Sequence, residues 1–209
     1  MDLFGLVAAE RRRLADELEG LTAAEWKQAS LCAGWTNHVV AAHLTLPWSV
    51  SKPRFLVGLA KERGNIDRAM DRFSHEQAER LDPASCVAAL HDHAEDRFTP
   101  PGFGPEAPLT DVVVHGADIL APLGRSVTHD PDALRAVLTV VAGPKARRAF
   151  GAPSIEGLVL DATDVELRVG TGDSVVSGPA LALSGVILGR TAHAAQLSGD
   201  GAPLLAART

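Results

Sequence analysis

The sequence contains no tyrosine, and aromatic residues make up only 4% of its 209 residues. Proteins that hold single-stranded nucleic acid stack the bases on aromatic side chains, and few such side chains are available. Basic residues do not cluster either, since the longest Lys/Arg run is Arg11–Arg13 and 20 basic against 26 acidic residues give a formal net charge of −6. A nucleic-acid interface is normally a basic patch. We therefore expect no nucleic-acid partner.

Cysteines and long hydrophobic runs are also scarce. Cys32 and Cys86 are the two cysteines, too few for a disulfide framework and not spaced as a Cys-x-x-Cys motif. No apolar run approaches the ~20 residues that a transmembrane helix needs, and the first residues lack the pattern of a signal peptide. We expect a cytoplasmic protein with reduced cysteines and no membrane partner. Its 46% hydrophobic and 22% charged residues are typical of a globular protein.

Hydrophobic spacing predicts helices over roughly the first 125 residues. Apolar residues recur at helical intervals in residues 3–20, from 37 past a kink at Pro47 to 64, in 66–98 with a break at Pro83, and in 110–122. Thr22 and Glu25 are spaced as a capping box, and Thr36 and Thr110 are candidate N-caps. Residues 99–108 carry four prolines and two glycines, which predicts a loop.

The pattern changes after Gly124. A helix is predicted at 131–141, followed by strands at 158–162, 165–169 and 175–176, helices at 179–189 and 191–197, and a turn at 199–203. Val165, Leu167 and Val169 alternate with charged residues, the period of a half-buried strand. The predicted fold class is α+β, with a helical bundle over residues 1–124 and a small α/β module over residues 125–209.

Three side chains of the predicted bundle form a candidate metal site. Asp111 and His115 are four residues apart and share one helix face, while His43 lies in an apolar stretch of another predicted helix. Helix bundles often build metal sites from facing helices, and three protein ligands leave one position open, as in catalytic zinc. The same spacing also fits a chance Asp/His pair and a hydrogen-bonded core histidine, so both interpretations stay open at this point.

Other catalytic motifs are absent from the sequence. It has no G-x-S-x-G elbow and no G-x-x-x-x-G-K-[ST] phosphate loop. Cys32 has no base close to it in the sequence, and its predicted role is that of a small apolar loop residue. No side chain of the protein is therefore an expected nucleophile.

Several motifs together resemble a known family. They are LTAAEW at residues 21–26, LCAGWT at 31–36, VVAAHL at 39–44, DVVVHGADI at 111–119, and VSGPA, LGR and LSGDG at 176–180, 188–190 and 197–201. In combination these segments look like the mycothiol-dependent maleylpyruvate isomerase family, whose members join a DinB-like metal-binding four-helix bundle to a C-terminal α/β module. The resemblance extends over nearly the whole chain.

The resemblance implies a site and an activity. It implies a divalent metal, with zinc first, on His43, Asp111 and His115, although the family often has Glu where this chain has Asp111. It also implies mycothiol as a thiol cosubstrate whose sulfur would take the open metal position. Arg190 is then a candidate for holding a substrate carboxylate, with a structural salt bridge as the equal alternative.

The function expected on these grounds is a metal-dependent enzyme that uses mycothiol for isomerisation or S-transfer on a small electrophilic metabolite. Two alternatives belong to other classes: a non-catalytic metal-containing protein that binds a small molecule, and a thiol-independent metalloenzyme of a biosynthetic pathway. Family membership alone does not fix the reaction.

Overall fold

The computed structural model describes residues 2–125 and 128–209. Its α-helices are α1 (Leu3–Glu19), α2 (Ala23–Trp26), α3 (Asn37–Leu44), α4 (Leu46–Ser49), α5 (Lys52–Lys61), α6 (Ile66–Ala78), α7 (Pro83–Asp92), α8 (Glu106–Leu120), α9 (Pro131–Val141), α10 (Pro144–Phe150), α11 (Ala180–Ile187) and α12 (Ala202–Ala206). The strands are β1 (Leu158–Ala162), β2 (Leu167–Val169) and β3 (Ser174–Gly178). The predicted α+β class is confirmed. Within the described residues, no helix is both long and apolar enough to cross a membrane.

The helix starts follow the predicted caps in the first half of the chain. Thr22 and Glu25 form the capping box at α2, and the Thr36 hydroxyl accepts a hydrogen bond from the Val39 N–H at the start of α3. The Asp82 carboxylate caps α7, so a new helix starts at Pro83, where a break was predicted. Each cap satisfies an amide that has no partner within its own helix.

The start of α8 differs from the prediction. This helix begins at Glu106, whereas a loop to residue 108 and a cap at Thr110 were expected. Pro108 fits into the first turn because the amides there have no intrahelical acceptor, so a missing N–H removes no bond. The Thr110 hydroxyl donates to the Glu106 carbonyl oxygen at 2.8 Å and is not a cap.

Other helix and strand boundaries also differ from the prediction. The kinked helix expected from residue 37 past Pro47 to residue 64 is three helices, α3, α4 and α5. The Ser51 side chain caps the start of α5. The helices α10 and α12 were not predicted. The strand predicted at 165–169 is shorter in the structure, where β2 begins at Leu167. Val165 is buried in the turn that precedes it.

One compact unit comprises the described residues of Val7–Phe98 and His115–Val127. In it α3 is almost completely buried and packs against α6 and α7. The C-terminal half of α8 approaches α1 closely, since a Cβ placed on Gly116 would lie 3.3 Å from a Leu14 methyl group. The Leu31 N–H donates to the Asp118 carbonyl oxygen at 3.0 Å, which ties the loop before α3 to α8.

The other unit comprises the described residues of Met1–Leu6, Thr99–Val114 and Thr128–Thr209. Its three-stranded sheet has the order β2-β1-β3, with β1 antiparallel to β2 and parallel to β3. The helix α11 packs on β1, β3 and α9, and its apolar residues bury the sheet face that carries Leu158, Leu160 and Val176. The division of the chain into domains 1–124 and 125–209 stays a prediction.

Candidate functional site

A tight turn before α3 presents two side chains, those of Cys32 and Trp35. The Trp35 N–H donates to the Cys32 carbonyl oxygen at 3.0 Å, and Gly34 adopts φ +81°, which favours glycine. The Ser30 hydroxyl accepts from the Cys32 N–H at 3.1 Å and donates to the Trp35 carbonyl oxygen at 3.0 Å. Both side chains are therefore held on a fixed backbone.

The two predicted histidine ligands lie side by side. The rings of His43 on α3 and His115 on α8 have centroids 4.9 Å apart and planes inclined by 71°. The Trp35 indole lies 5.1 Å from the first ring and 6.3 Å from the second, measured between centroids. Its Nε1–H donates to the Asp71 carboxylate at 2.7 Å, which fixes the indole beside both imidazoles.

His115 is oriented by a buried carboxylate. Its Nδ1 lies 2.9 Å from Oδ2 of Asp118, one turn later on the same helix. Asp118 is only 1% exposed, and the same oxygen accepts a hydrogen bond from the Cys32 thiol at 3.1 Å. An ionised carboxylate has no proton to give, so Nδ1 of His115 is the donor and Nε2 carries the lone pair.

Cys32 is thus a polar partner of the site, and its predicted role as an apolar loop residue is wrong. It is not arranged as a nucleophile activated by histidine, however. Nδ1 of His115 lies 3.6 Å from its sulfur, and this nitrogen already donates to Asp118. In a catalytic triad the nucleophile and the carboxylate use opposite ring nitrogens.

His43 is oriented by a hydroxyl group. Its Nδ1 lies 3.0 Å from Oγ of Ser74 on α6. The Ser74 hydroxyl also donates to the Met70 carbonyl oxygen at 2.7 Å, one turn earlier on that helix. Ser74 is fully buried and His43 is half-buried, so the hydroxyl end of this contact is shielded from water.

Two sets of three side chains in residues 2–125 and 128–209 place candidate metal-ligand atoms within 4.8 Å of one another: Cys32, His115 and Asp118, and His43, Asp111 and His115. In the first set, the thiol and the imidazole already donate to the carboxylate. The second set is the one expected from the sequence. Its two imidazoles and one carboxylate are the donor types that zinc takes in three-ligand catalytic sites, so these residues fit a divalent metal.

The N-terminal part of the chain matches a known domain family. Residues 7–99 match the Mycothiol maleylpyruvate isomerase N-terminal domain. The match covers 93 of the 209 residues. The resemblance drawn from the sequence motifs is confirmed. The matched segment includes Cys32, Trp35, His43 and Ser74 of the site and ends before α8.

Two solved structures share the fold over most of the chain. A crystal structure of the mycothiol-dependent maleylpyruvate isomerase aligns with a TM-score of 0.59 and 18% identity, over 96% of this chain and 92% of the other. A histidine-to-alanine mutant of the mycothiol-dependent maleylpyruvate isomerase gives the same TM-score and coverage at 19% identity. At this identity the likeness establishes the fold alone. A comparison with curated proteins found no match.

Arg190 follows α11 in the chain. Its guanidinium donates to the Leu188 carbonyl oxygen at 2.7 Å, and the side chain is partly buried. Its role in binding a substrate carboxylate stays a prediction.

Three residues of the site were not predicted: Trp35, Ser74 and Asp118. Asp118 had a signal, since it follows His115 by three residues and so shares its helix face. Ser74 had a weaker one, as a polar residue beside Phe73 on the buried side of α6. The contact between Cys32 and Asp118 spans 86 residues, a separation at which sequence spacing carries no signal.

Proposed function

We propose that this protein is a metal-dependent enzyme that uses the low-molecular-weight thiol mycothiol to isomerise, or to transfer sulfur to, a small electrophilic metabolite. The observation that carries the proposal is the pair of imidazoles, His43 and His115, each with Nδ1 hydrogen-bonded to a buried partner, next to Asp111. The choice of mycothiol as the thiol is supported by the match of residues 7–99 to the isomerase domain family.

The residues that would hold the metal are His43, Asp111 and His115, and zinc is the first choice for this donor set. When bound, a divalent cation stabilises the thiolate form of an adjacent thiol and so lowers the pKa of that thiol from its usual ~8.5. The shorter side chain of Asp111, compared with the family's frequent Glu, restricts its reach by one methylene group.

The protein's own residues orient and shield the site. Asp118 keeps the proton of His115 on Nδ1, so that the Nε2 lone pair is available to a metal. The Trp35 indole packs beside both imidazoles and reduces the access of water from that side. Exclusion of water strengthens electrostatic interactions within a site.

The proposed chemistry needs no oxidant or reductant. The thiolate sulfur adds to a carbon–carbon double bond that is conjugated with a carbonyl group, and the displaced electron pair moves to the carbonyl oxygen. Rotation about the resulting single bond, followed by return of the electron pair and loss of the same sulfur, gives the isomer and regenerates the thiolate. If a proton instead adds at the neighbouring carbon, the C–S bond persists and the result is S-transfer. A guanidinium such as that of Arg190 suits a carboxylate on such a substrate.

The experiment combines metal analysis with turnover. The purified protein should contain about one divalent metal per chain, because the proposed site is one set of three ligands, His43, Asp111 and His115. It should isomerise maleylpyruvate only when mycothiol is added. His115→Ala should lose the metal and the activity but keep its helical circular dichroism. His91→Ala is a matched control, because His91 faces Asp16 and Glu19 at the surface.

Each alternative predicts a different result. Full metal occupancy in His115→Ala would contradict the ligand assignment. Turnover in thiol-free protein would favour the thiol-independent metalloenzyme. Binding of metal and mycothiol without turnover of any electrophile tested would favour the non-catalytic binding protein.

A further inference from the structure

We propose that Ser74 is a positioning residue that holds His43 in the tautomer protonated at Nδ1 and thereby makes Nε2 its metal-binding atom. This inference rests on the proposed function only for the identity of the bound group. The tautomer itself is a property of the metal-free protein. Nothing in the sequence pattern or in the family match assigns a role to Ser74.

The assignment follows from counting protons around one oxygen. The Ser74 hydroxyl has one proton, and its oxygen lies 2.7 Å from the Met70 carbonyl oxygen. Two oxygens at this distance need a proton between them, and a carbonyl group has none to supply. The hydroxyl proton therefore points to Met70, and the lone pairs of Oγ remain for the 3.0 Å contact with Nδ1 of His43. That contact is an N–H···O bond, so Nδ1 carries the proton.

A second contact between the same two helices fixes the position of this hydroxyl. The Gln77 amide on α6 donates to Oγ1 of Thr45, the C-cap residue of α3, at 3.0 Å, and that hydroxyl donates to the Ala42 carbonyl oxygen at 2.8 Å. Thr45 and Gln77 are both buried. The bond between Gln77 and Thr45, together with that between His43 and Ser74, holds α3 and α6 in one register, so Ser74 cannot slide away from the imidazole without breaking the bond to Thr45.

The consequence for metal binding is a preorganised ligand. A histidine that binds a metal through one nitrogen usually donates the other N–H to a fixed acceptor, and loss of that acceptor typically costs 10–100-fold in affinity. The two histidines of the site differ in this respect. His115 has the Asp118 carboxylate as its acceptor, whereas His43 has a neutral hydroxyl that is itself polarised by a backbone carbonyl group.

The first test measures the tautomer without metal. Nitrogen NMR of the imidazole ring in the metal-free protein should show His43 protonated at Nδ1 in the wild type. In Ser74→Ala the population protonated at Nε2 should increase. Ser184→Ala is the matched control, because Ser184 is also fully buried and donates to the carbonyl oxygen four residues earlier, that of Ala180, at 2.8 Å.

The second test titrates metal-free protein with Zn²⁺ and with Co²⁺. Ser74→Ala should bind each cation about 10–100-fold more weakly than the wild type, with an altered Co²⁺ absorption spectrum. Ser74→Thr, which keeps the hydroxyl group, should recover most of the affinity, and Ser184→Ala should match the wild type. An unchanged His43 tautomer in Ser74→Ala overturns the role of Ser74, whatever the metal titration shows. Failure of the wild-type protein to bind Zn²⁺ overturns the proposed function, while the tautomer measurement still decides the role of Ser74.

Discussion

Replacing Asp118 with asparagine separates the charge of this buried side chain from its shape. The Cys32 thiol and the His115 Nδ1–H both donate to the same oxygen of Asp118, Oδ2, at 3.1 and 2.9 Å. An asparagine can place its amide oxygen at that position and keep both hydrogen bonds. Asp118→Asn therefore removes the negative charge while it leaves the hydrogen-bond geometry nearly intact.

Asp118→Asn should reduce the free energy of unfolding and the metal affinity by different amounts. Hydrogen bonds to a charged group contribute about 1.5–3 kcal/mol and neutral ones about 0.5–1.5 kcal/mol, so two weakened bonds lower the free energy of unfolding by roughly 2 kcal/mol. The neutral amide offsets part of this loss, because burial of a charge is itself unfavourable. Metal affinity has no such offset, since His115 becomes a weaker ligand. We expect a 10–100-fold loss, or about 1.4–2.7 kcal/mol of binding free energy.

Titration calorimetry with Zn²⁺ and urea unfolding of the metal-free protein measure the two quantities separately. Asp200→Asn is the control, because Asp200 accepts a hydrogen bond from the Val175 N–H at 2.8 Å and belongs to the other compact unit. Zinc affinity that is the same in Asp118→Asn and in the wild type would refute the reasoning that this carboxylate tunes His115.

The two cysteines give two further predictions. Burial raises the pKa of the Cys86 thiol from an ordinary value near 9.0 to about 12, so the unfolded chain loses this proton first and the free energy of unfolding should fall by up to about 1.4 kcal/mol per pH unit between those values. Urea unfolding should show a shallower decline for Cys86→Ala, and equal slopes would contradict the burial effect. Cys32→Ser keeps a donor to Asp118, so mycothiol-dependent turnover should persist; its abolition in a folded, metal-loaded variant would identify the Cys32 sulfur as a nucleophile.

Local features of the fold were predictable because they depend on a few adjacent residues. The caps at Thr22 and Thr36 were predicted correctly, because each depends on a side chain that satisfies an amide within three residues. The start of α8 was misplaced because a proline-rich segment was expected to exclude a helix, although proline is tolerated in the first turn. The additional helices α10 and α12 are short and begin at or next to a proline, which in the sequence resembles a turn.

The candidate site was only partly predictable, for a physical reason. Asp111 and His115 are linked by helix periodicity, which spacing reveals. The partners that orient the imidazoles, Ser74 and Asp118, are defined by packing between helices, and a single sequence does not encode those contacts as spacing. The thiol of Cys32 was misjudged for the same reason, since its acceptor lies 86 residues away.

The position of Trp35 gives the site an optical reporter. The chain has no tyrosine and three tryptophans, so its intrinsic fluorescence comes from indoles alone. An excited indole loses energy by electron transfer to a protonated imidazole nearby, and Trp35 lies beside both His43 and His115. Trp26 and Trp48 contact other histidines, so replacing these two tryptophans with phenylalanine leaves one emitter whose intensity reports directly on the protonation and loading of the paired imidazoles.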